Sequence, residues 1–550
     1  MLKWVRDFGK AGNRQSNSSE TENLPEKKVD PRFTTSLKEN LGKFEAFLGD
    51  SSDVVTREFT IADGRVNCAL IYIDGLIDKA VIHDQLMKSL MLEMPLVYPN
   101  IAKKDVMEQV KERALTVADI KEAKDLDEAM LFLMSGEVVL IIDGYSEVIV
   151  VSARGWASRG VAEPESEALV RGPRDGFTET LRTNTAHLRR KCRDPNLVIK
   201  TMQIGRRSKT DVAIAYIKGI VRSELVQEVE ERLNKIDVDK ILETGEIEQL
   251  IEDNVFSPFP QAQFTERPDK TVASLLEGRV AILVDGTPFA LIVPTVLFQL
   301  FQSPEDYYER WIISSLIRFF RFIGSFIATF APSIYIAMIA YHPGLIPTSL
   351  ALSIAASREG VPFPAFIEAL LMEIIIELLR ESGARLPKAI GTTIGIVGGI
   401  VIGDAAVRAG ITSPIMVIVV AITAIASFII PSYNAAISFR LMRFPVMMLA
   451  AVLGLYGVML GFIVINIHLV TLRSFGTVYL SPLTPLEVGD WKDLIFRLPT
   501  KYQRKRPAFL QPVDMIRQDL EEEVRYLKER TEEERGSRQE NKKEKKGESE

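Results

Sequence analysis

Between Trp311 and Arg473 the chain holds three uncharged apolar runs, Phe322–Tyr341, Ala409–Phe439 and Phe444–Leu472. Each is at least as long as the roughly 20 residues an α-helix needs to cross a bilayer core. A shorter run, Ala389–Gly403, is rich in glycine. Helices of a soluble core are seldom apolar on every face over such lengths, so this block reads as membrane. The flanking sequence is charged and water-compatible, which makes the mean hydropathy of +0.09 an average over two unlike parts. The fold class expected is therefore multi-domain: a duplicated α/β cytoplasmic head followed by a polytopic α-helical membrane domain.

Composition narrows the function classes. A net charge of −6 argues against nucleic acid as a partner. Cys68 and Cys192 form no disulfide framework, and the four histidines show no metal-ligand spacing. With no phosphate loop and no nucleophile–base pair, neither a cofactor nor an enzyme activity is expected. No apolar stretch follows the first positive charges, so no cleaved signal peptide is expected and the head is placed in the cytoplasm.

Residues 1–52 are polar and read as a disordered arm, with a short amphipathic helix near Leu37–Leu48. The head after it repeats itself. Asn67–Ile77 (NCALIYIDGLI) matches Asp211–Val221 (DVAIAYIKGIV), with Tyr72 on Tyr216 and Gly75 on Gly219. Gly136–Gly144 (GEVVLIIDG) likewise matches Gly278–Gly286 (GRVAILVDG), an apolar strand closed by a turn-forming Asp-Gly. Two α/β subdomains are expected, 53–195 and 196–300. A cleft between them suits a ligand, and a stalk or oligomer interface fits the duplication equally. The basic stretch Arg154–Arg193 lacks interleaved aromatics and reads as a solvated helix face or a surface for lipid or a partner.

The membrane domain is expected over 301–475 and the cytoplasmic tail over 476–550. Ser303–Tyr308 (SPEDYY) starts a helix, and Arg310, Arg318 and Arg321 before the first span place the head inside. Four spans are expected, an even number that leaves both termini cytoplasmic, with 345–381 as a re-entrant or interfacial hairpin. Within it, Glu373, Glu377, Arg380 and Glu381 share a helix face about 100° wide, with Glu368 roughly opposite. Such a face lines water, pairs internally or lies in the interface, which marks these five residues as candidates for an ion path or its gating. Gly391, Gly395, Gly399 and Gly403 recur every fourth residue, a close-packing device of membrane helices. Asp404 and Arg408 are spaced to pair along the helix. The basic run Lys501–Arg506 suits an anionic leaflet.

Several stretches together carry a resemblance over about residues 40–500: Pro173–Arg182 (PRDGFTETLR), Ser303–Tyr308, Pro387–Gly399 (PKAIGTTIGIVGG), Ser413–Met416 and Pro431–Tyr433. They resemble the A subunits of the nutrient receptors for spore germination in endospore-forming bacteria. The resemblance implies a location in the spore inner membrane and action with a transporter-like B subunit and a lipoprotein C subunit. It also implies a response to amino acids, sugars or nucleosides, release of monovalent cations, and a homo-oligomer around the ion path. A solute transporter component and a membrane-anchored scaffold are the alternatives; substrate accumulation against a gradient distinguishes the first, loss of assembly without the head the second.

Overall fold

The computed structural model describes residues 30–518 apart from 63, 98–104, 112–118, 156–162, 165 and 386–401. In the head, helix α1 (Leu37–Leu48) precedes strands β1 (Val54–Ile61) and β2 (Val66–Ile73). Then come β3 (Ile120–Ala123), α2 (Leu126–Met134), β4 (Val138–Ile142) and β5 (Val148–Val151). Helix α3 (Leu181–Lys191) opens the same order again, with β6 (Leu197–Ile204), β7 (Thr210–Ile217), α4 (Ser223–Asn234) and α5 (Thr244–Ile251). It closes with β8 (Gln263–Thr265), α6 (Pro268–Leu275), β9 (Val280–Val284) and β10 (Ala290–Val293).

The two sheets share one topology, β1-β2-β4-β5-β3 and β6-β7-β9-β10-β8. All their pairings are antiparallel. Both faces of each sheet are covered, which is why the central strands read as unbroken apolar runs rather than alternating ones. In β2 and β4, Leu70 and Leu140 point to the layer of Ile82, Leu86 and Leu90. Their neighbours Ile71, Val139 and Ile141 point to α1 and α2. The repeat also sets the turns: Gly75 and Gly219, and Gly144 and Gly286, all have positive φ, a conformation glycine adopts without steric penalty. Each Asp-Gly has a further task. Asp143 Oδ1 accepts the Leu37 N–H at 3.1 Å and Asp285 Oδ1 accepts the Leu181 N–H at 2.9 Å, so each turn holds the start of a helix.

This pairing moves the limits expected for the subdomains. Helix α1 matches α3, as Asn40 matches Asn184 in holding its own loop through Thr34 and Thr178. The first unit thus begins near residue 30, inside the arm expected to reach 52, and α3 packs in the core of the second unit. Polar composition concealed this, because Phe33, Leu37, Leu41, Phe44 and Leu48 are spread among charged residues yet all buried. Arg189, in the stretch expected to be a solvated or lipid-facing surface, is 0% exposed and makes two 2.8 Å contacts with Asp53, across the two units.

The second half includes, among the described residues, the helices α7 (Trp311–Ala340), α8 (Thr348–Arg358), α9 (Ala365–Arg385), α10 (Pro414–Phe428), α11 (Tyr433–Leu453) and α12 (Leu455–Thr471). Of these, α7 and α11 are long and apolar enough to cross a membrane, and α10 and α12 are shorter apolar helices. The single span expected at Phe444–Leu472 is instead a helical hairpin. Gly454, at φ 62°, breaks it, and α12 folds back with Gly457 against Leu449 and Gly461 against Val446. The break lies between two leucines, so hydropathy has no dip there. Likewise α11 runs through Arg443 and Pro445, joining the end of the apolar run Ala409–Phe439 to the start of Phe444–Leu472 in one helix. Within the segment 345–381, expected as a re-entrant or interfacial hairpin, α9 lies alongside α10, Glu368 meeting its start at Ser413 and Arg380 its end at Ser427.

After α12 the chain returns to the head. Phe475 enters the second unit's core. Tyr479 is 0% exposed, and its hydroxyl donates to Pro260 O at 2.8 Å. Arg506 turns inward to Asp514 at 2.6 Å and Leu276 O at 2.7 Å. Of the basic run expected on lipid, Lys501, Arg504 and Lys505 are the exposed members.

Nearby in α5, burial, reinforced by Glu252 and Glu243, pushes the Glu248 carboxyl up to about 8 from its ordinary 4.5. The folded chain therefore keeps a proton that the unfolded chain releases above 4.5. Its stabilising contribution is full below 4.5 and lost as pH rises through 8, by about 1.4 kcal/mol per pH unit in that window. Thermal unfolding of the detergent-solubilised chain should show this slope and Glu248→Gln should flatten it; an equal slope in the variant would assign it elsewhere.

Candidate functional site: an acid–arginine ladder on α9

Helix α9 carries the five candidates Glu368, Glu373, Glu377, Arg380 and Glu381, and arginines of other helices meet the first three acids. Glu368 is 0% exposed; Oε1 lies 2.7 Å from Arg358 Nη2 of α8, and Oε2 accepts the Ser413 N–H at 3.1 Å. That second contact sits at the start of α10, where unpaired N–H groups favour an anion. Five residues on, Glu373 is buried in an ion pair with Arg443 of α11, whose Nε donates to Ala328 O at 2.7 Å. Glu377 follows, half-buried, 3.5 Å from Arg440 Nε and 3.6 Å from Arg380 Nη1. Arg380 donates to Ser427 Oγ at 2.9 Å and stacks over the Phe428 ring at 4.5 Å.

Of the shared face expected from the sequence, Glu373, Glu377 and Arg380 are thus brought together against α10 and α11, while Glu381 is exposed. Glu368 is as deeply held, against α8 and the start of α10. Gly403 is buried, within van der Waals distance of Val417 for an added Cβ. Gly391, Gly395 and Gly399 lie outside the described residues. Asp404 and Arg408 pair at 2.8 Å on the surface. Arg358, Arg440 and Arg443 were missed as partners. Their signal was present, since Arg440 and Arg443 are a cation pair between two apolar runs.

Taking a charge out of water is costly, and buried ions persist where a counter-ion and hydrogen bonds compensate them. Compensation here is incomplete. Glu373 Oε1, Arg443 Nη2, Ser333 Oγ and Tyr335 Oη are buried with no hydrogen-bond partner among the described residues.

A second polar cluster joins the block to the head. Arg318 and Arg321, expected as topology-setting charges before a span, lie inside α7 with their guanidinium groups on Asp306, at 2.8 and 2.6 Å. Arg318 also reaches Asp493 at 2.6 Å, and Tyr307 Oη donates to the same carboxylate at 2.7 Å. Asp306 sits in the single turn Glu305–Tyr308, so the SPEDYY stretch supplies the anion that two buried arginines require.

Known proteins are similar in sequence to this chain along most of its length. The family described as Bacillus/Clostridium GerA spore germination protein matches residues 42–509. Spore germination protein KA of Bacillus subtilis (strain 168) is 45% identical over 487 residues, 88% of this chain and 89% of that protein. Spore germination protein GerLA of Bacillus cereus is 43% identical, covering 85% of this chain and 94% of that protein. The uncharacterized membrane protein YfkQ of Bacillus subtilis (strain 168) is 42% identical, covering 87% and 92%. The crystal structure of the N-terminal domain of the A subunit of the Bacillus megaterium spore germinant receptor GerK3 is 38% identical. It covers 48% of this chain and 97% of that one, with a TM-score of 0.40. The chain belongs to the GerA family of spore germination proteins.

Proposed function

We propose that this chain is the A subunit of a spore-germination receptor whose helical block forms or gates a cation path in the spore inner membrane. The observation that carries the reading is the ladder on α9, where Glu373 and Arg443 form a buried ion pair that is incompletely hydrogen-bonded among the described residues. In this reading α7, α9, α10, α11 and α12 belong to the membrane domain, and the path runs beside α9. The partners proposed are a transporter-like B subunit, a lipoprotein C subunit, further copies of this chain and anionic lipid against Lys501, Arg504 and Lys505. A nutrient signal from this assembly would reach the ladder through the Asp306 cluster, which ties head to helices.

Glu377 is the point to test, because it is half-buried and its loss leaves the deeper pair intact. In liposomes holding the complex with its partners, Glu377→Gln is expected to change potassium flux or its preference over sodium several-fold. Flux and selectivity unchanged from the parent would remove α9 from the path; no ion flux from the parent complex under any nutrient would remove conduction itself.

A further inference from the structure

A polar cavity of about 230 Å³ opens at the junction of the second unit, the SPEDYY turn and the returning tail. Its lining comes from α6, Arg279, the stretch 302–308 and Arg517, all of it outside the first unit. Three of its charged groups are already matched. Arg267 holds Asp269 at 3.0 Å, with the Tyr308 hydroxyl on the same oxygen. Glu167 holds Lys270 at 2.6 Å, and Glu277 accepts from Arg279 Nη2 at 2.9 Å. Two donor groups are left over. Arg279 is 3% exposed, and its Nε is buried with no hydrogen-bond partner among the described residues. Arg517 is exposed and makes no ion pair among the described residues.

Buried N–H groups are almost always paired, so an orphan on a cavity-lining side chain calls for a ligand acceptor. Guanidinium groups favour carboxylate and phosphate oxygens. Here the two come from different elements, Arg279 just before β9 and Arg517 in the tail, so they suit a group whose oxygens point in several directions. A tetrahedral phosphate meets that demand better than a planar carboxylate. The tail adds positive charge outside. Arg517 N–H donates to Arg504 O at 2.7 Å and Lys505 bridges Ile516, which sets the exposed Arg504 and Lys505 beside Arg517. The volume is below the roughly 300 Å³ at which drug-sized pockets begin, so the group bound is small. Shortly after Tyr308, Trp311 and Ile312 open the exposed apolar surface of α7. Basic pockets beside such surfaces take acidic lipid headgroups.

We propose that this cavity binds a phosphate ester, with Arg279 Nε and the Arg517 guanidinium donating to its oxygens. A phospholipid headgroup and a free glycerol phosphate present the same group, and the start of α7 beside the cavity favours the headgroup. Its binding would join the second unit, the SPEDYY turn and the tail at one point. The inference does not rest on ion conduction by the helices, and glycerol phosphate tests it apart from any bilayer.

Two titrations of the full chain in detergent, with chloride as the background anion, test it. Glycerol 3-phosphate is followed by calorimetry, and dioleoyl phosphatidylglycerol by native mass spectrometry against dioleoyl phosphatidylcholine. Saturation of one site by at least one probe is expected. Glycerol phosphate binding identifies a free ester, and a single phosphatidylglycerol retained in preference to phosphatidylcholine identifies a lipid headgroup. Arg517→Gln and Ala273→Phe, both at exposed positions lining the cavity, should weaken binding at least about tenfold with unaltered thermal unfolding. Arg504→Gln/Lys505→Gln, outside the cavity, should weaken it less than Arg517→Gln does. If glycerol phosphate up to about 10 mM and the lipid both fail to saturate a site, solvent fills the cavity and the proposal is overturned. Parent-like binding by Ala273→Phe also overturns it, because the anion then sits on the outer basic surface.

Discussion

Replacing Arg443 with leucine is expected to collapse the helical block, with a loss of about 3–5 kcal/mol. The side chain is almost wholly buried, pairs with Glu373 and donates to Ala328 O on α7 at 2.7 Å. Without it, the Glu373 carboxylate is left 1% exposed among α7, α9 and α11 with its nearest cation gone. The penalty comes from that stranded charge more than from the lost attraction. Removing both charges in Glu373→Leu/Arg443→Leu should therefore recover most of the stability. Unfolding of the detergent-solubilised chain, followed by circular dichroism at the helical band, measures both. A single variant that loses under about 1 kcal/mol, or a double variant no better than the single one, would show that the pair does not organise the block.

A comparable loss is expected for Asp306→Asn, at the junction of head and helices. One carboxylate oxygen accepts from Arg318 at 2.8 Å and from Arg321 at 2.6 Å, and all three residues are buried. Arg318 would retain Asp493, whereas Arg321 would keep only the Phe301 carbonyl at 3.0 Å. The result should be a loss of about 3 kcal/mol or more and faster proteolysis between residues 302 and 310, with Arg321→Met restoring part of both. Cleavage at the parent rate would mean that the junction is held by its apolar contacts alone, chiefly Phe301 against Phe322 at 4.6 Å.

Most of the head was legible because its signals are local. A strand of apolar residues closed by Asp-Gly needs few neighbours to declare itself, and the match of Gly136–Gly144 with Gly278–Gly286 exposed the duplication. The start of the repeat was harder to see, since α1 is amphipathic and short. Its five apolar residues acquire meaning only against the face of the sheet made by Ile71, Val139 and Ile141.

The helical block divides along the same physical line. Length and hydropathy separate an apolar segment from a polar one, yet they are blind to direction. Nothing in Leu453-Gly454-Leu455 distinguishes a continuous helix from a hairpin until Gly457 is found against Leu449. For the candidate site, helical spacing placed Glu373, Glu377 and Arg380 on one face of α9. It could not supply the guanidinium groups opposite them, since Arg440 and Arg443 lie some sixty residues away in sequence.

By itself, then, the sequence determined the apolar block, the duplicated α/β head, the stretches that mark the family and the charged face of α9. Each depends on residue type and near-neighbour spacing. Tertiary structure decided which charges are compensated, where α11 ends and α12 turns back, and that Arg506 and Tyr479 belong to the head. Those outcomes are contacts between distant segments, and a buried ion's partner is fixed by packing, not by its place in the chain.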